Sequence, residues 1–179
     1  MCGERESKSA SRRGAQRALM YGLLAAGALG FVVLALLPHA PADPRSLVKP
    51  MLAMVVVTTA VWLAMASVRN WAILTGRASP KHYLDYKSDP PPDWIERPAR
   101  AYDNLMQAPT LFYVISILMI VTGWADSTQV TLAWMFVALR AAHAVIYIGV
   151  NVLPARFVSF ALSCFALWEM WARFALNAG

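Results

Sequence analysis

The chain has 179 residues, of which 59% are hydrophobic and 15% charged, with mean hydropathy +0.48 and net charge +6. Soluble domains carry about 45–50% apolar and about 25% charged residues, and here the apolar surplus is concentrated: positions 18–37, 51–68 and 104–125 contain no Asp, Glu, Lys or Arg. That excludes a disordered chain, a disulfide scaffold and an ordinary cytosolic enzyme, and it leaves a polytopic membrane protein.

A helix needs about 20 apolar residues to cross about 30 Å of hydrocarbon, and five segments meet that length. The first, 18–37, follows a basic tail of Arg5, Lys8, Arg12, Arg13 and Arg17 and stops at Pro38. Two readings of it stay open. Ser11-Arg12-Arg13 ahead of the run and Ala40-Pro41-Ala42 behind it have the form of a cleaved signal. Against that, the run exceeds the usual apolar core of a signal, about 7–15 residues. Ala18, Gly22, Ala26 and Gly30 also recur every fourth residue, as a small-residue packing stripe does, which favours a retained helix.

The second segment is 51–75, with Pro50 ahead of it and Gly76 behind. The third is 100–125. The fourth, 128–153, is interrupted by Arg140 and His143, and the fifth, 155–176, carries Glu169 and Arg173 near its end. No period-two alternation supports a β-barrel. Loops 38–49 and 77–99 are long and proline-containing. The turns at 126–127 and 152–155 are short, so segments three to five are antiparallel neighbours. The expected fold is an all-α transmembrane helical bundle, divided into 1–49 (tail, extra helix and loop) and 50–179 (a four-helix domain).

Basic residues sit at the ends of the apolar runs, where they report orientation rather than a nucleic-acid surface. The tail holds five, the 77–99 loop four (Arg77, Lys81, Lys87, Arg97) and the 38–49 loop two (Arg45, Lys49). Alternation then puts the tail, the 77–99 loop and the 152–155 turn in the cytoplasm. Loop 38–49, turn 126–127 and the C-terminus fall on the other side. Cys2 and Cys164 are too far apart in sequence and setting to suggest a disulfide framework, and Cys164 reads as packing. Glu169 and Arg173, at i,i+4, read as a structural pair. Six tryptophans (Trp62, Trp71, Trp124, Trp134, Trp168, Trp171) fall mostly toward segment ends, as interfacial anchors do. His39 and His82 have no partner at metal-ligand spacing, and no zinc motif, phosphate loop or G-x-S-x-G occurs, so no metal site is expected.

Charged side chains inside a membrane cost about 2.5–3.5 kcal/mol each on insertion scales. Arg140 lies 12 residues into segment four, with His143 and Tyr147 at i+3 and i+7 on one helix face and Asn151 extending the stripe. Arg97, Arg100, Asn104 and Gln107 form a second stripe at the start of segment three. Arg156 opens segment five behind Pro154. All three stripes begin near the cytoplasmic side and together suit a polar, anionic ligand. Singly, Arg97, Arg100 and Arg156 equally suit snorkelling to lipid phosphates, and Asn104 and Gln107 suit interhelical hydrogen bonding.

Arg100-Ala101-x-x-Asn104-x-x-Gln107, followed by Pro109, resembles the R-A-x-x-N-x-x-E signature of the MAPEG family, membrane-associated proteins in eicosanoid and glutathione metabolism. Arg140-x-x-His143-x-x-x-Tyr147, then Gly149, Pro154 and Arg156, is similar in spacing to its microsomal prostaglandin E synthase branch, as is Ile73-Leu74-Thr75-Gly76 before the long loop. The likeness covers about residues 50–177 and leaves the first helix outside.

The resemblance implies a four-helix MAPEG-like core, assembled as a homotrimer, with glutathione as cosubstrate. Carried over by position, Arg100, Asn104, Gln107, Arg140, His143 and Tyr147 would contact glutathione, and Arg156 would stabilise its thiolate. The function implied is a glutathione-dependent transferase, peroxidase or isomerase acting on a lipophilic electrophile that arrives from the membrane lipid, in a bacterial inner (cell) membrane. Gln107 replaces the signature glutamate. Asp103 stands where the synthase branch has a second arginine, and Phe157 and Phe160 stand where it has serine and tyrosine. Those departures keep a non-catalytic lipid- or protein-binding member of the fold as the alternative. A transporter ranks last, because broken helices and internal repeats are lacking.

The charge asymmetry generates the first prediction. Topology-reporter fusions at Lys87 and Gly179 should signal from opposite sides, with Lys87 cytoplasmic. Cytoplasmic signals from both would overturn the orientation.

Overall fold

The structure, a computed structural model, describes residues 2–36, 40–87 and 89–177, with the side chains of the first helix described from residue 14 to residue 34. Pro38, His39 and Gly179 lie outside the described residues, as do the side chains of Cys2, Arg5, Lys8, Arg12 and Arg13. The elements are α1 (Cys2–Leu36), a 3₁₀ turn (Pro44–Leu47), α2 (Val48–Leu74), a short α3 (His82–Asp85), α4 (Asp93–Thr122), α5 (Ser127–Ile148) and α6 (Leu153–Asn177). Five of these stretches are long and apolar enough to cross a membrane: Gly14–Leu34, Pro44–Leu74, Asp93–Thr122, Ser127–Ile148 and Leu153–Asn177. The fold is an all-α transmembrane bundle.

Helix α4 begins about two turns before the expected start at 100. Pro92 stands at its N-cap, and Asp93 and Glu96 in the first turn complement the positive end of the helix dipole. Ile95 is drawn in to form a small core with Ala72 and Ala78. The 77–99 stretch is therefore more than loop. Within it, α3 ends at Tyr86, whose φ of 53° is left-handed. The segment is pinned to α2 by Arg69, which pairs with Glu96 at 3.2 Å and lies over the Tyr83 ring at 4.9 Å. Tyr83 donates to Glu96 at 3.1 Å. Burial, and then the neighbouring Glu96 carboxylate, push the Tyr83 phenol above its ordinary value, so it stays a donor.

The main core joins α2, α4, α5 and α6. Met54, Phe112, Ile115, Met119, Leu132, Phe136 and Met170 are fully buried in it. Phe112 of α4 stacks on Phe136 of α5 with ring centroids 4.7 Å apart. Short connections make α4–α5 and α5–α6 neighbours, as expected. At one end, Ala42 N–H donates to the Ala125 carbonyl at 3.0 Å and Ser127 N–H to the Ala40 carbonyl at 2.9 Å. This fastens the chain before α2 to the α4–α5 turn. At the other end, Arg97 Nη1 donates to the Gly149 carbonyl at 3.1 Å, joining the start of α4 to the α5–α6 turn.

Helix α1 packs on α6, but not through the expected small-residue stripe. Ala18, Gly22, Ala26 and Gly30 are exposed. The docking face runs through Gly27, where a Cβ would collide with the Leu162 side chain, and Phe31, which is buried and meets the Phe165 ring at 6.3 Å. One glycine that admits a leucine, with an aromatic pair beside it, buries more apolar surface than four small residues in a row.

The expected Glu169–Arg173 pair is present at 3.6 Å, and Arg173 also bonds Asp126, the N-cap of α5, at 2.9 Å. Arg173 is buried, so Arg173→Ala removes the cation that Asp126 and Glu169 share. Breaking a buried pair costs about 3–5 kcal/mol. We expect a loss near the low end of that range, because Asp126 and Glu169 are partly exposed. Unfolding in a mixed detergent series measures it, and an unchanged midpoint would contradict the assignment.

Candidate functional site

The polar residues of α4, α5 and α6 converge on Arg140. It is fully buried at 0% exposure, the largest such side chain among the described residues. Its Nη2 donates to the Asn104 carbonyl at 2.5 Å and to Asn104 Oδ1 at 2.7 Å. Its guanidinium carbon lies 5.4 Å from the centroid of the Phe160 ring, a cation–π contact. Nε and Nη1 have no acceptor, and no carboxylate pairs with it among the described residues. Arg69 and Arg173 elsewhere each have an acidic partner.

One turn along α5, His143 is buried, and its Nδ1 lies 2.9 Å from the Arg156 carbonyl. A carbonyl only accepts, so Nδ1 carries the proton in this contact. Nε2 is buried without a partner. The same Arg156 carbonyl accepts from Ser159 Oγ at 3.0 Å. These bonds join α5 to the first turn of α6.

The Arg156 guanidinium is held from two directions. Nη1 donates to Asn151 Oδ1 at 2.8 Å, and the group lies over the Tyr147 ring at 4.1 Å from its centroid. Asn151 occupies the turn after α5 with φ 49°, and its N–H closes back on the Ile146 carbonyl at 2.7 Å. Asparagine tolerates this left-handed conformation better than other non-glycine residues, and here the conformation delivers its amide to Arg156.

Asp93 organises the edge of the cluster. Its carboxylate accepts from Arg97 Nε at 2.7 Å and from Arg100 Nη2, which also reaches the Asp93 carbonyl at 3.3 Å. Arg100 and Asp93 are about half exposed, at 47% and 52%. Arg97, Arg100, Arg140 and Arg156 thus lie toward one end of the bundle, and among the described residues Asp93 is the one carboxylate bonded to any of them.

The structure brings Asn104, Arg140, His143, Tyr147 and Arg156 together, with Arg100 at the margin. Gln107 lies on an exposed part of α4 and makes no hydrogen bond among the described residues. Three roles go beyond the sequence expectations: Asp93 as the clamp on two arginines, Asn151 as the anchor of Arg156, and Phe160 as the ring beneath Arg140. Asp93 is hidden because it precedes the apolar segment expected to start at 100. Phe160 carries a usable signal, its i+4 spacing from Arg156. The chemistry of the arrangement suits an anion: fixed donors and a buried cation with no acidic partner among the described residues.

The MAPEG family model matches residues 47–176, spanning α2 to α6 and leaving α1 outside. No curated protein matches the chain.

Asn151 should show two separable contributions. Asn151→Gly removes only the acceptor for Arg156, whereas Asn151→Leu adds left-handed backbone strain of about 1–2 kcal/mol. Melting in detergent should therefore rank wild type, then Gly, then Leu. Equal midpoints for Gly and Leu would contradict the backbone role.

Proposed function

The chain belongs to the MAPEG family, and on that premise we propose that it is a glutathione-dependent membrane transferase, peroxidase or isomerase acting on a lipophilic electrophile. The observation that carries this reading is Arg140: a fully buried guanidinium whose Nε and Nη1 have no acceptor, and which has no carboxylate partner, among the described residues. An uncompensated buried charge costs several kcal/mol. A site that retains one is built to receive negative charge from outside the chain.

Glutathione fits that demand, with two carboxylates and a thiol. Arg140 and Arg100 supply planar donors suited to carboxylates, and Asn104, His143 and Tyr147 surround them. Arg100 must leave Asp93 to take part, and its exposure makes that exchange inexpensive. Gln107 offers a neutral amide toward the ammonium group where the family signature has a carboxylate. Its exposed position suits a site completed by a neighbouring copy, in keeping with a homotrimer.

Bound glutathione supplies a nucleophilic sulfur. A thiol of ordinary pKa, about 8.5, is mostly protonated at neutral pH. A guanidinium beside the sulfur favours the thiolate, and each unit of lowered pKa corresponds to about 1.4 kcal/mol. Arg156 takes this role. Its head is held by Asn151 and Tyr147 and is engaged by no carboxylate among the described residues. The spacing from Arg140 to Arg156 favours the prostaglandin E synthase branch. Glutathione enters from the cytoplasmic end and the electrophile from the bilayer.

A non-catalytic reading draws support from Phe157 and Phe160, which place apolar rings on the turn that carries Arg156. Calorimetric titration with glutathione, together with a conjugation assay on a generic electrophile, separates the two. Arg156→Ala should lower turnover about 100-fold, as loss of one transition-state donor does, while leaving binding nearly intact. Arg100→Ala should weaken binding about tenfold, with turnover at saturation little changed. Full turnover in Arg156→Ala would remove its catalytic role. Absence of both binding and turnover in the wild type would leave the non-catalytic reading.

A further inference from the structure

Helix α1 and the first turn of α6 enclose a groove of about 500 Å³, lined by Gln16, Arg17, Met20, Leu153, Pro154 and Phe157. Both walls are the starts of membrane-crossing stretches, Gly14–Leu34 and Leu153–Asn177, so the groove opens at one membrane interface. The two helices meet farther along, at Gly27 against Leu162 and Phe31 against Phe165. Nearer the interface they leave a gap.

The chemistry of the gap is divided. Its walls are apolar, with Leu153 at 63% and Phe157 at 48% exposure. Its mouth carries Arg17, which is exposed and has no ion pair or hydrogen bond among the described residues. In sequence, Arg12 and Arg13 precede it, and no Asp or Glu occurs between Glu6 and Asp43. An unpaired cation at headgroup level, above an apolar cleft running toward the bilayer, complements one class of molecule: an acyl chain under an anionic head.

We propose that this groove holds an anionic phospholipid of the surrounding bilayer, its phosphate on Arg17 and Gln16 and one chain against Met20, Leu153 and Phe157. The lipid fills the gap and wedges α1 against α6. The family match begins at residue 47, so the α1 wall of this groove lies outside it, and the site stands whether or not glutathione binds elsewhere.

Native mass spectrometry of the full chain, with phosphatidylglycerol and phosphatidylcholine of identical chains, tests the proposal. Wild type should retain phosphatidylglycerol at least fivefold better than phosphatidylcholine, a preference that declines with added salt. Arg17→Gln should lower the preference about fivefold, the effect of one basic contact near an anionic surface, and Arg17→Lys should restore most of it. Met20→Trp fills the cleft without changing charge and should abolish retention. Phosphatidylglycerol should raise the melting temperature of wild type and not that of Met20→Trp. Equal retention of the two lipids by wild type, a comparison that needs no variant, would overturn the proposal. So would undiminished retention in Met20→Trp, which would mean that the basic tail alone holds lipid. Displacement by equimolar palmitate would also overturn it, assigning the groove to a free fatty acid.

Discussion

A single buried guanidinium constrains the rest of the bundle. Arg140 sits at 0% exposure in α5, and among the described residues only Asn104 accepts from it. That bond requires α4 to present both its carbonyl and its amide oxygen at one point, which fixes the rotation of α4 against α5. Phe160 then covers the cation from α6, and His143, three residues on, reaches the Arg156 carbonyl. Three helices are thus locked by hydrogen bonds whose geometry tolerates little displacement, in an interior where apolar packing alone is permissive.

The molecule treats its arginines in two opposite ways. At the α4–α5 turn, buried Arg173 is shared by Asp126 and Glu169, so the chain supplies more than enough negative charge for it. Along the 77–99 stretch, Arg69 has Glu96, which Tyr83 steadies with a hydrogen bond. These clusters are closed. At the other end of α5, Arg140 has neutral acceptors and Arg156 has an amide and a ring face. On the glutathione reading, that difference separates a site for an anion from structural ion pairing.

Much of this is legible in the sequence, for definite reasons. Five apolar runs are long enough to span a bilayer, and the short turns at 126–127 and 152–155 leave few ways to arrange the last three. Arg140, His143 and Tyr147 stand out because their spacing puts them on one face and their charge is anomalous in such a run. What stays hidden depends on contact between elements. Helical pattern alone offers Ala18, Gly22, Ala26 and Gly30 as the face of α1, because small residues announce themselves. The actual face is selected by Leu162 and Phe165 on a distant helix. Asn151 can be seen as polar, but its left-handed backbone and its bond to Arg156 cannot. Gln107 shares a helical face with Arg100 and Asn104 by spacing, yet it lies exposed while Asn104 turns inward to Arg140.

Asp93 bears on how selective such a site can be. It already occupies Arg97 and Arg100, so a ligand carboxylate arriving there replaces an existing contact. The gain is a difference between two charge-assisted bonds at a half-exposed position, where each alone contributes little. At Arg140 no such exchange is needed, because its Nε and Nη1 have no acceptor among the described residues. A ligand acid reaching it relieves an uncompensated desolvation cost in addition to forming a bond. On the glutathione reading, the exposed arginines then attract and orient, while Arg140 discriminates. A molecule with one carboxylate can satisfy the rim. A molecule whose carboxylate also reaches the depth of α5 binds more favourably, and it does so within a turn of Arg156.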